Sequence, residues 1–321
     1  MKVLQITNNY PTDNFPAFGI FVKEQIDSLT IQGASNDVFF INGRKNGKKA
    51  YITAVFKLRK YLRDNKYDLI HCHHSFSGLV LLLSGKIFQS KTVLSYQSDP
   101  VNEGGVFFFK ILNLFFDCII LKNRAPEMRY PKTVYLPNGV NIEFFNPMDK
   151  AQCRKQLGLD ENKKYIIFLD SYKDRTFKRV DRFNEVIRIL KEKYFRSDIE
   201  PLILTNVDRR LIPKYFCASE LHLLTSDFEG SPNSVKECLA CNVPVVSTPV
   251  GNVSELIGDV AGCYMSKSFE PDELAELTNK ALQLSNISSR DKIINEGLEI
   301  NAVALKLISI YKNLIKNKSP V

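Results

Sequence analysis

The amino-acid sequence predicts an α/β protein with two doubly wound, Rossmann-like domains that face each other across a cleft. The chain has 321 residues, of which 44% are hydrophobic, so it is long enough to bury about two cores. It begins with the strand-like segment Lys2–Thr7, which is followed by a glycine-containing loop and a helical segment. Strands and helices alternate again after Asn146–Asp149, and such alternation is typical of parallel sheets covered by helices on both faces.

Hydrophobic periodicity and turn residues give the elements in order. In the first half, strands are predicted at Lys2–Thr7, Asp37–Ile41, Leu69–His73, Thr92–Gln97 and Thr133–Leu136, with helices over residues 20–30, 50–65, 77–88 and 106–116. In the second half, strands are predicted at residues 165–170, 202–205, 221–225 and 243–248, with helices over residues 180–193, 271–284 and 302–315. The predicted domains are residues 1–143 and 144–300, and residues 301–321 are expected to pack back on the first domain.

The location of the protein is predicted from its apolar segments. No uninterrupted apolar run reaches the roughly 18 residues that a membrane-spanning helix needs. The start, MKVLQIT, resembles a strand and lacks the charged and apolar regions of a signal peptide. We therefore expect a cytoplasmic protein.

The net charge of +9 is concentrated in one segment. Nine lysines and arginines lie between Arg44 and Lys66, while Val55, Leu58 and Leu62 recur there at three- and four-residue spacing. This pattern predicts a basic amphipathic helix. It is either a solvated surface helix or a helix that lies against anionic lipid headgroups at the inner face of the cell membrane. We find no nucleic-acid motif in the sequence.

Seven cysteines in scattered, mostly apolar contexts indicate buried thiols in a reducing compartment. Cys238 and Cys241 have the spacing of a redox or zinc pair, but they lie inside a predicted helix without a second ligand pair nearby. The three histidines at His71, His73 and His74 also lack a partner at ligand-like spacing beyond Cys72. We therefore expect no bound metal.

The most informative stretch is Ser226–Ile257, where two glutamates lie eight residues apart around the start of a predicted helix. Proline suits the first turn of a helix, whose N–H groups lack helical partners, so the turn at Gly230–Asn233 can begin one. A helix N-terminus favours anions, and residues 230–235 therefore form a candidate phosphate site. His222, in the preceding predicted strand, is expected to be structural.

This stretch resembles the signature of the retaining glycosyltransferases of the GT-B fold, family 4, in which E-x7-E is followed by A-x-G-x-P-V-V. Here Glu229-x7-Glu237 is followed by ACNVPVV, with Asn242 in place of the glycine. Asparagine can take the same left-handed conformation at a helix C-terminus. The resemblance implies that Glu229 contacts the donor sugar and Glu237 the ribose of the nucleotide. The candidate phosphate site at the start of the helix, which would receive the donor's diphosphate, comprises Gly230, Ser231, Pro232, Asn233, Ser234 and Val235.

Family members also place cations and a glycine around the donor diphosphate. In SYKDRTFKRVD, Lys178 matches the family's lysine, and either Arg175 or Lys173 matches the second cation. Gly19, in the first loop, resembles the glycine that lets the backbone approach the diphosphate. The alternative is that Gly19 simply permits the turn.

The first domain carries weaker similarities, and the resemblance assigns it to the acceptor. DLIHCHHSFSGL resembles the family's D-V-I-H-A-H-x-x-x-S-G-L, which makes His73 and His74 candidates on the acceptor or sugar side. Gln97 stands where the family usually has a histidine near the sugar. The aromatic run VFFFKILNLFF, at residues 106–116, is either core or an exposed lid over a lipid-linked acceptor.

The resemblance implies a retaining, metal-independent transfer from a nucleotide-sugar donor to a saccharide or lipid-linked acceptor, in cell-surface polysaccharide synthesis. A UDP-sugar is favoured over a GDP-sugar, and no further cofactor is expected. Two alternatives remain open: a nucleotide-sugar epimerase on the same fold, and a non-catalytic sugar-nucleotide-binding partner protein, which the glutamine at Gln97 would suit.

Overall fold

The computed structural model describes residues 1–124, 130–170, 176–284 and 287–316. It divides into two compact units: unit 1 is Met1–Gly139 with Ile300–Val321, and unit 2 is Val140–Glu299. Each unit has its own parallel sheet, which confirms the predicted fold class. The candidate cations Lys173 and Arg175 lie outside the described residues.

Unit 1 is built on a six-stranded sheet with the strand order β2-β1-β3-β4-β5-β6. Its strands are β1 (Lys2–Thr7), β2 (Ser35–Phe40), β3 (Leu69–His73), β4 (Lys91–Ser95), β5 (Cys118–Leu121) and β6 (Thr133–Tyr135). Its helices are α1 (Ile20–Ile31), α2 (Gly43–Asn46), α3 (Lys49–Asp64), α4 (Ser75–Leu83), α5 (Val106–Phe115) and the closing helix α13 (Ile300–Lys316). Since β1 is flanked by β2 and β3, the strand order reverses there.

Different helices cover the two faces of this sheet. Because side chains alternate along β1, its residues contribute to both of the resulting cores. Leu4 and Ile6 pack into a core shared with α3, α4 and α5. Val3, on the opposite face, packs with Leu29 of α1 and with α13, which contributes Val303, Ala304, Leu307 and Ile308. Residues spaced in this way form one stripe of a helix. Beyond Lys2, β1 is buried on both faces: Val3, Leu4 and Ile6 are apolar, and the buried polar Gln5 is hydrogen-bonded to Asn36 and His73.

The aromatic helix α5 is only partly in the core. Phe109 and Leu112 are fully buried, whereas Phe107 and Leu114 on the opposite side are 78% and 73% exposed. The sequence offered core or exposed lid for this run, and the structure gives it one buried and one exposed side. Among the described residues, no helix has the length and apolar character needed to cross a membrane.

Unit 2 has a five-stranded sheet with the order β11-β10-β9-β7-β8. Its strands are β7 (Lys164–Asp170), β8 (Ile199–Thr205), β9 (Leu221–Leu224), β10 (Val245–Ser247) and β11 (Tyr264–Met265). Its helices are α6 (Lys150–Leu157), α7 (Val180–Lys193), α8 (Ile212–Ala218), α9 (Asn233–Ala240), α10 (Val253–Ile257), α11 (Pro271–Ala281) and α12 (Arg290–Asn295). The strand order reverses at β7, between β8 and β9, where sheets of this kind bind ligands.

Asn242 follows α9 with φ 56, the left-handed conformation expected of it. Its side-chain oxygen also accepts hydrogen bonds from the backbone N–H groups of Ser289 and Arg290, at 3.0 and 2.9 Å. These N–H groups lie at the start of α12, so the side chain of Asn242 caps a second helix. A glycine would supply the conformation but not this contact.

Candidate functional site

Lys178 and Glu229 meet at the carboxyl edge of the unit 2 sheet. Lys178 ends a short 3₁₀ helix, Thr176–Lys178, beyond β7, and Glu229 lies in the loop after the neighbouring strand β9. The Lys178 ammonium donates to Glu229 Oε1 at 2.5 Å. Ser226 Oγ donates to the same oxygen at 2.8 Å. In the sequence, Lys178 and Glu229 belong to two separate motifs. The fold brings them together as an ion pair.

Hydrogen bonds to the backbone hold the two loops together. Thr225 Oγ1 donates to the carbonyl oxygens of Lys178 and Arg179, each at 3.0 Å. Arg182, on α7, donates to the carbonyl oxygen of Thr225 at 2.6 Å. The Asp227 N–H donates to the carbonyl oxygen of Phe177 at 2.8 Å. The Lys178 side chain is thus held at the sheet edge, where it is 10% exposed.

The turn before α9 is held by the chain that follows β10. Gly251 has φ +56, and a Cβ there would lie 2.3 Å from the carbonyl oxygen of Gly230. The Asn252 N–H donates to that same oxygen at 3.1 Å. Glycine is therefore required at 251, since the backbone of the turn passes where a side chain would stand. Pro232 precedes the helix with φ −65 and ψ 117, so α9 begins at Asn233 as the sequence suggested.

In the predicted phosphate loop, residues 230–235, the side chains of Ser231, Ser234 and Val235 already contact other parts of unit 2. Ser231 Oγ accepts from the buried Lys236 ammonium at 3.0 Å. Ser234 Oγ lies 3.1 Å from His222 Nε2, and the Val235 side chain is fully buried in the core. What this segment can offer an anion is therefore mainly the backbone N–H groups of the first turn of α9, which have no acceptor within a helix.

His222 anchors α9 to β9. Its Nδ1 lies 3.0 Å from the carbonyl oxygen of Ile167 and donates to it, which leaves Nε2 to accept from Ser234 Oγ. Burial, together with the nearby Lys178 ammonium, lowers the pKa of His222 to about 4, although the hydrogen bond to the Ile167 carbonyl and the Glu229 carboxylate act in the opposite direction. The residue is therefore neutral and structural, as the sequence analysis expected.

Glu237, on α9, is nearly buried and has a cationic partner that the sequence analysis missed. Arg209 Nη2 donates to Glu237 Oε1 at 2.8 Å. Arg209 begins a short 3₁₀ helix after β8, and its guanidinium lies 4.7 Å from the ring centroid of Phe145. An arginine just after a parallel strand is a signal for the ligand-binding edge, but several arginines and lysines in this sequence follow strands.

Gly19 has φ +67, and a Cβ there would lie 2.2 Å from the backbone carbon of Asn9. The loop itself therefore requires glycine at this position, because two parts of its backbone touch. This observation matches the structural alternative for Gly19, while an approach to a diphosphate remains a prediction.

Two of the clustered histidines in unit 1 are internal. His71 lies between Tyr311 Oη and Ser95 Oγ, at 2.5 and 2.7 Å, and burial holds its pKa well below the usual value. His73 Nε2 lies 2.8 Å from Gln5 Oε1, and burial lowers the pKa of His73 to about 3. Both rings are therefore neutral parts of the core.

His74 is the histidine of this cluster that retains exposure, with 19% of its side chain accessible. Its φ of 95 is unusual for a residue with a side chain, and its Nδ1 accepts the N–H of Phe76 at 3.2 Å, which caps α4. Its Nε2 lies 3.7 Å from Glu103 Oε2. The structure thus shows that His74 is accessible whereas its neighbour His73 is buried, a difference that the sequence did not reveal.

Gln97 follows β4 at the same edge of the unit 1 sheet. Its Oε1 accepts from Asn138 Nδ2 at 3.3 Å, while its buried Nε2 has no hydrogen-bond partner among the described residues. Its backbone N–H donates to Glu103 Oε1 at 2.5 Å. Glu103 is a second residue that the sequence analysis missed, since an acidic residue beside two glycines is ordinary turn composition.

One structural observation bears on the expectation that the protein binds no metal. Within the described ranges, no group of three or more histidine, cysteine, aspartate or glutamate side chains is arranged to hold a metal ion. Cys238 and Cys241 are both buried in the core of unit 2.

The chain is similar to known glycosyltransferases in sequence and in fold. Residues 188–284 match the sequence model of the family described as glycosyl transferases group 1. TuaC of Bacillus subtilis, a glycosyltransferase assigned to teichuronic acid biosynthesis, is 24% identical, with 80% of this chain and 83% of that protein covered. The UDP-Gal:alpha-D-GlcNAc-diphosphoundecaprenol alpha-1,3-galactosyltransferase of Escherichia coli is also 24% identical, with 83% of this chain and 80% of that enzyme covered.

Among solved structures, Anabaena HepE in complex with UDP superimposes with a TM-score of 0.70 at 16% identity. The match covers 98% of this chain and 100% of HepE. At this level of identity, the likeness concerns the fold. Residues 188–284 of unit 2 therefore resemble the glycosyl transferases group 1 family, and each unit has the Rossmann-like fold found in GT-B glycosyltransferases.

Proposed function

We propose that this protein is a retaining glycosyltransferase that moves a sugar from a nucleotide-sugar donor to a saccharide or lipid-linked acceptor. The observation that carries the proposal is the Lys178–Glu229 pair next to the first turn of α9. A cation, a carboxylate and free backbone N–H groups at the carboxyl edge of one sheet match the needs of a sugar diphosphate. The sugar offers hydroxyls to the carboxylate, and the diphosphate offers charge to the cation and the helix.

The relatives support the donor and the pathway class. HepE has been solved with UDP and with UDP-glucose, and the E. coli relative is named for UDP-Gal and a diphosphoundecaprenol-linked acceptor. TuaC is named for teichuronic acid, a cell-surface polymer. We therefore propose a UDP-sugar donor and a role in cell-surface polysaccharide synthesis.

In the proposed reaction, the bond between the anomeric carbon and the diphosphate oxygen breaks, and the acceptor hydroxyl attacks from the same face. The departing phosphate oxygen takes the acceptor's proton, so no side-chain base is needed. Lys178 and the N–H groups of α9 stabilise the negative charge that develops on the phosphate, which is the largest contribution expected. Glu229 orients the sugar, while Glu237, held by Arg209, contacts the ribose. Arg175 or Lys173 supplies the second cation.

We propose a metal-independent reaction because Lys178, with Arg175 or Lys173, supplies the positive charge that a metal ion would otherwise bring to the diphosphate. Activity that a chelator abolishes and manganese or magnesium restores would contradict this part of the proposal.

The test begins with a thermal-shift panel of UDP-glucose, UDP-galactose, UDP-N-acetylglucosamine and GDP-mannose. Release of UDP from the best binder, by water or by an added acceptor, is then measured, and the anomeric configuration of the product is assigned by NMR. We expect UDP release with retention. Inversion would overturn the mechanism, an epimerised sugar nucleotide would support the epimerase, and tight binding without turnover would support the binding protein.

We further propose that unit 1 contacts an anionic membrane on the cytoplasmic side. Helices α3, α4 and α5 pack side by side on one face of the sheet. Along the outer side of α3, Ile52 and Phe56 are 63% and 67% exposed, and the exposed cations Lys49, Lys60 and Arg63 lie on either side of them. On α5, the exposed Phe107, Lys110 and Leu114 continue the same composition.

This helical layer combines two features that suit lipid. Aromatic and aliphatic side chains can enter the headgroup region, and each cation near an anionic surface contributes on the order of 1 kcal/mol. An ordinary solvated face would carry the cations without the exposed phenylalanines. The surface would bring the enzyme to a lipid-linked acceptor, which is insoluble in water.

A further inference from the structure

Glu103 links two loops at the carboxyl edge of the unit 1 sheet. Strands β3 and β4 pair in parallel with His73 opposite Ser95, so the residues that follow them lie side by side. Glu103 Oε1 accepts the backbone N–H groups of Gln97 and Ser98, at 2.5 and 2.7 Å. Its Oε2 accepts the N–H of Ser75 at 3.1 Å. One carboxylate therefore contacts the chain after both strands.

A compact turn brings Glu103 back to these loops. Asp99 Oδ1 accepts the N–H of Val101 at 2.8 Å, and the N–H of Glu103 donates to the Asp99 carbonyl oxygen at 3.2 Å. Gly104 follows with φ +130, and a Cβ there would lie 2.5 Å from the Phe108 ring. The turn closes with glycine, so the chain can reverse before α5 while the Glu103 side chain points inward, where it is 3% exposed.

Two of the predicted site residues of unit 1, His74 and Gln97, lie beside this contact. The peptide link between His74 and Ser75 supplies one of the three N–H groups, and Gln97 supplies another. His74 is in an unfavourable backbone conformation, with φ 95, and such conformations persist only when surrounding contacts hold them. Glu103 Oε2 also lies 3.7 Å from the imidazole Nε2 of His74.

We infer that Glu103 is a positioning residue whose carboxylate holds the loops after β3 and β4 in one arrangement, and so places His74 and Gln97 for the reaction. The inference rests on the proposed glycosyl transfer. A carboxylate suits the task because both of its oxygens accept hydrogen bonds and neither donates.

The variant Glu103→Gln tests the need for two accepting oxygens. Whichever way the amide turns, its NH₂ faces a backbone N–H, either that of Ser75 or those of Gln97 and Ser98, and one link is lost. We expect kcat for UDP release to fall about tenfold or more, as for a lost hydrogen bond to a charged group. We expect the KM for the nucleotide sugar to change less than twofold, because the cations and the α9 N–H groups proposed to bind the diphosphate are on unit 2.

Glu273→Gln is the matched control. Glu273 accepts the N–H groups of Lys267 and Ser268 in unit 2, at 2.7 and 3.0 Å, in the same manner, but no proposed site residue is attached to them. A similar fall in unfolding temperature in both variants, with kcat reduced only in Glu103→Gln, supports positioning. Unchanged kcat in Glu103→Gln overturns it. Glu103→Asp, which keeps the charge but shortens the reach, should recover part of the activity and serves if the amide variant fails to fold.

Hydrogen–deuterium exchange provides a readout that does not depend on turnover. Exchange over residues 72–78 and 95–104 should rise in Glu103→Gln and remain unchanged in Glu273→Gln. Unchanged exchange over these residues overturns the inference, whether or not the wild type is active. A wild type that releases no UDP, together with raised exchange in the variant, overturns the proposed function and leaves the contact between the loops intact.

Discussion

At the scale of single residues, the ion pair between Lys178 and Glu229 is the centre of the proposed site in unit 2. Each partner is mostly shielded from water, with 10% and 14% of its side chain exposed. Removing one partner of such a pair leaves the other charge poorly compensated. A lysine ammonium has three N–H donors, and the pair with Glu229 uses one, so Lys178 can also bind a phosphate oxygen.

Lys178→Ala is expected to lower turnover at saturating donor by about 10²–10³, the cost of one hydrogen-bond donor to a developing oxyanion. Lys191→Ala, an exposed lysine on α7, is the control. The assignment is wrong if Lys178→Ala retains more than about half of wild-type turnover in the UDP-release assay.

The two glutamates are expected to differ in the kinetic constant that they affect. Glu229→Ala should lower kcat, because the sugar loses its orientation and Lys178 its partner. Glu237→Ala should mainly raise the KM for the donor, because a ribose contact is made equally in the ground and transition states. Steady-state kinetics of both variants would expose reversed roles as the opposite pattern.

For Gln97→Ala, we expect turnover to fall by the equivalent of about 1–2 kcal/mol, the cost of one neutral hydrogen bond with its partner left unpaired. The buried Nε2 of Gln97 is a donor without a partner in the described chain, which leaves it available to a sugar hydroxyl. Gln97→His should be tolerated. A silent wild type that Gln97→His activates would instead identify a binding protein.

At the scale of elements, the proposed membrane contact lies on the outer side of the helical layer of α3, α4 and α5. Cosedimentation should occur with vesicles of phosphatidylcholine and phosphatidylglycerol, should be weak with phosphatidylcholine alone, and should weaken with salt. Lys49→Glu/Lys60→Glu should abolish it, and Phe107→Ala/Leu114→Ala should weaken it.

The matched control for this surface is Lys191→Glu/Lys312→Glu, which changes the net charge equally on α7 and α13. Both lysines are exposed. Equal loss in the control would mean that net charge alone drives binding. Equal sedimentation with both kinds of vesicle would leave α3 as a solvated surface helix.

At the scale of the whole molecule, buried neutral histidines in both units link stability to pH. Burial lowers the pKa of His73 to about 3 and that of His222 to about 4. In the unfolded chain each histidine takes up a proton near pH 6.5, whereas in the folded chain it does so only at lower pH. The unfolded state therefore binds more protons between these values, and stability falls as the pH falls from about 6.5.

Each of these histidines is expected to cost about 2 kcal/mol of unfolding free energy at pH 5 relative to pH 8. His222→Gln keeps a polar side chain near Ser234 without this titration, so its stability should fall less over that range. Urea unfolding at pH 8, 6.5 and 5 measures the difference. An equal decrease in His222→Gln and the wild type would mean that His222 is protonated in the folded protein.

Local sequence determined most of the strands and the longer helices, but not β5, β11 or the short helices α2, α6, α8, α10 and α12. It determined the start of α9 and the left-handed Asn242, because periodicity, proline and backbone preference act over a few neighbouring residues. It also identified Glu229, Glu237 and Lys178 as candidates. Tertiary structure alone decided that Lys178 pairs with Glu229, that Arg209 pairs with Glu237, and that Glu103 joins two loops. These contacts depend on which strands lie next to each other, and parallel pairing brings together residues far apart in the chain. For the same reason, only the fold separates the buried His73 from the accessible His74, and the buried from the exposed side of α5.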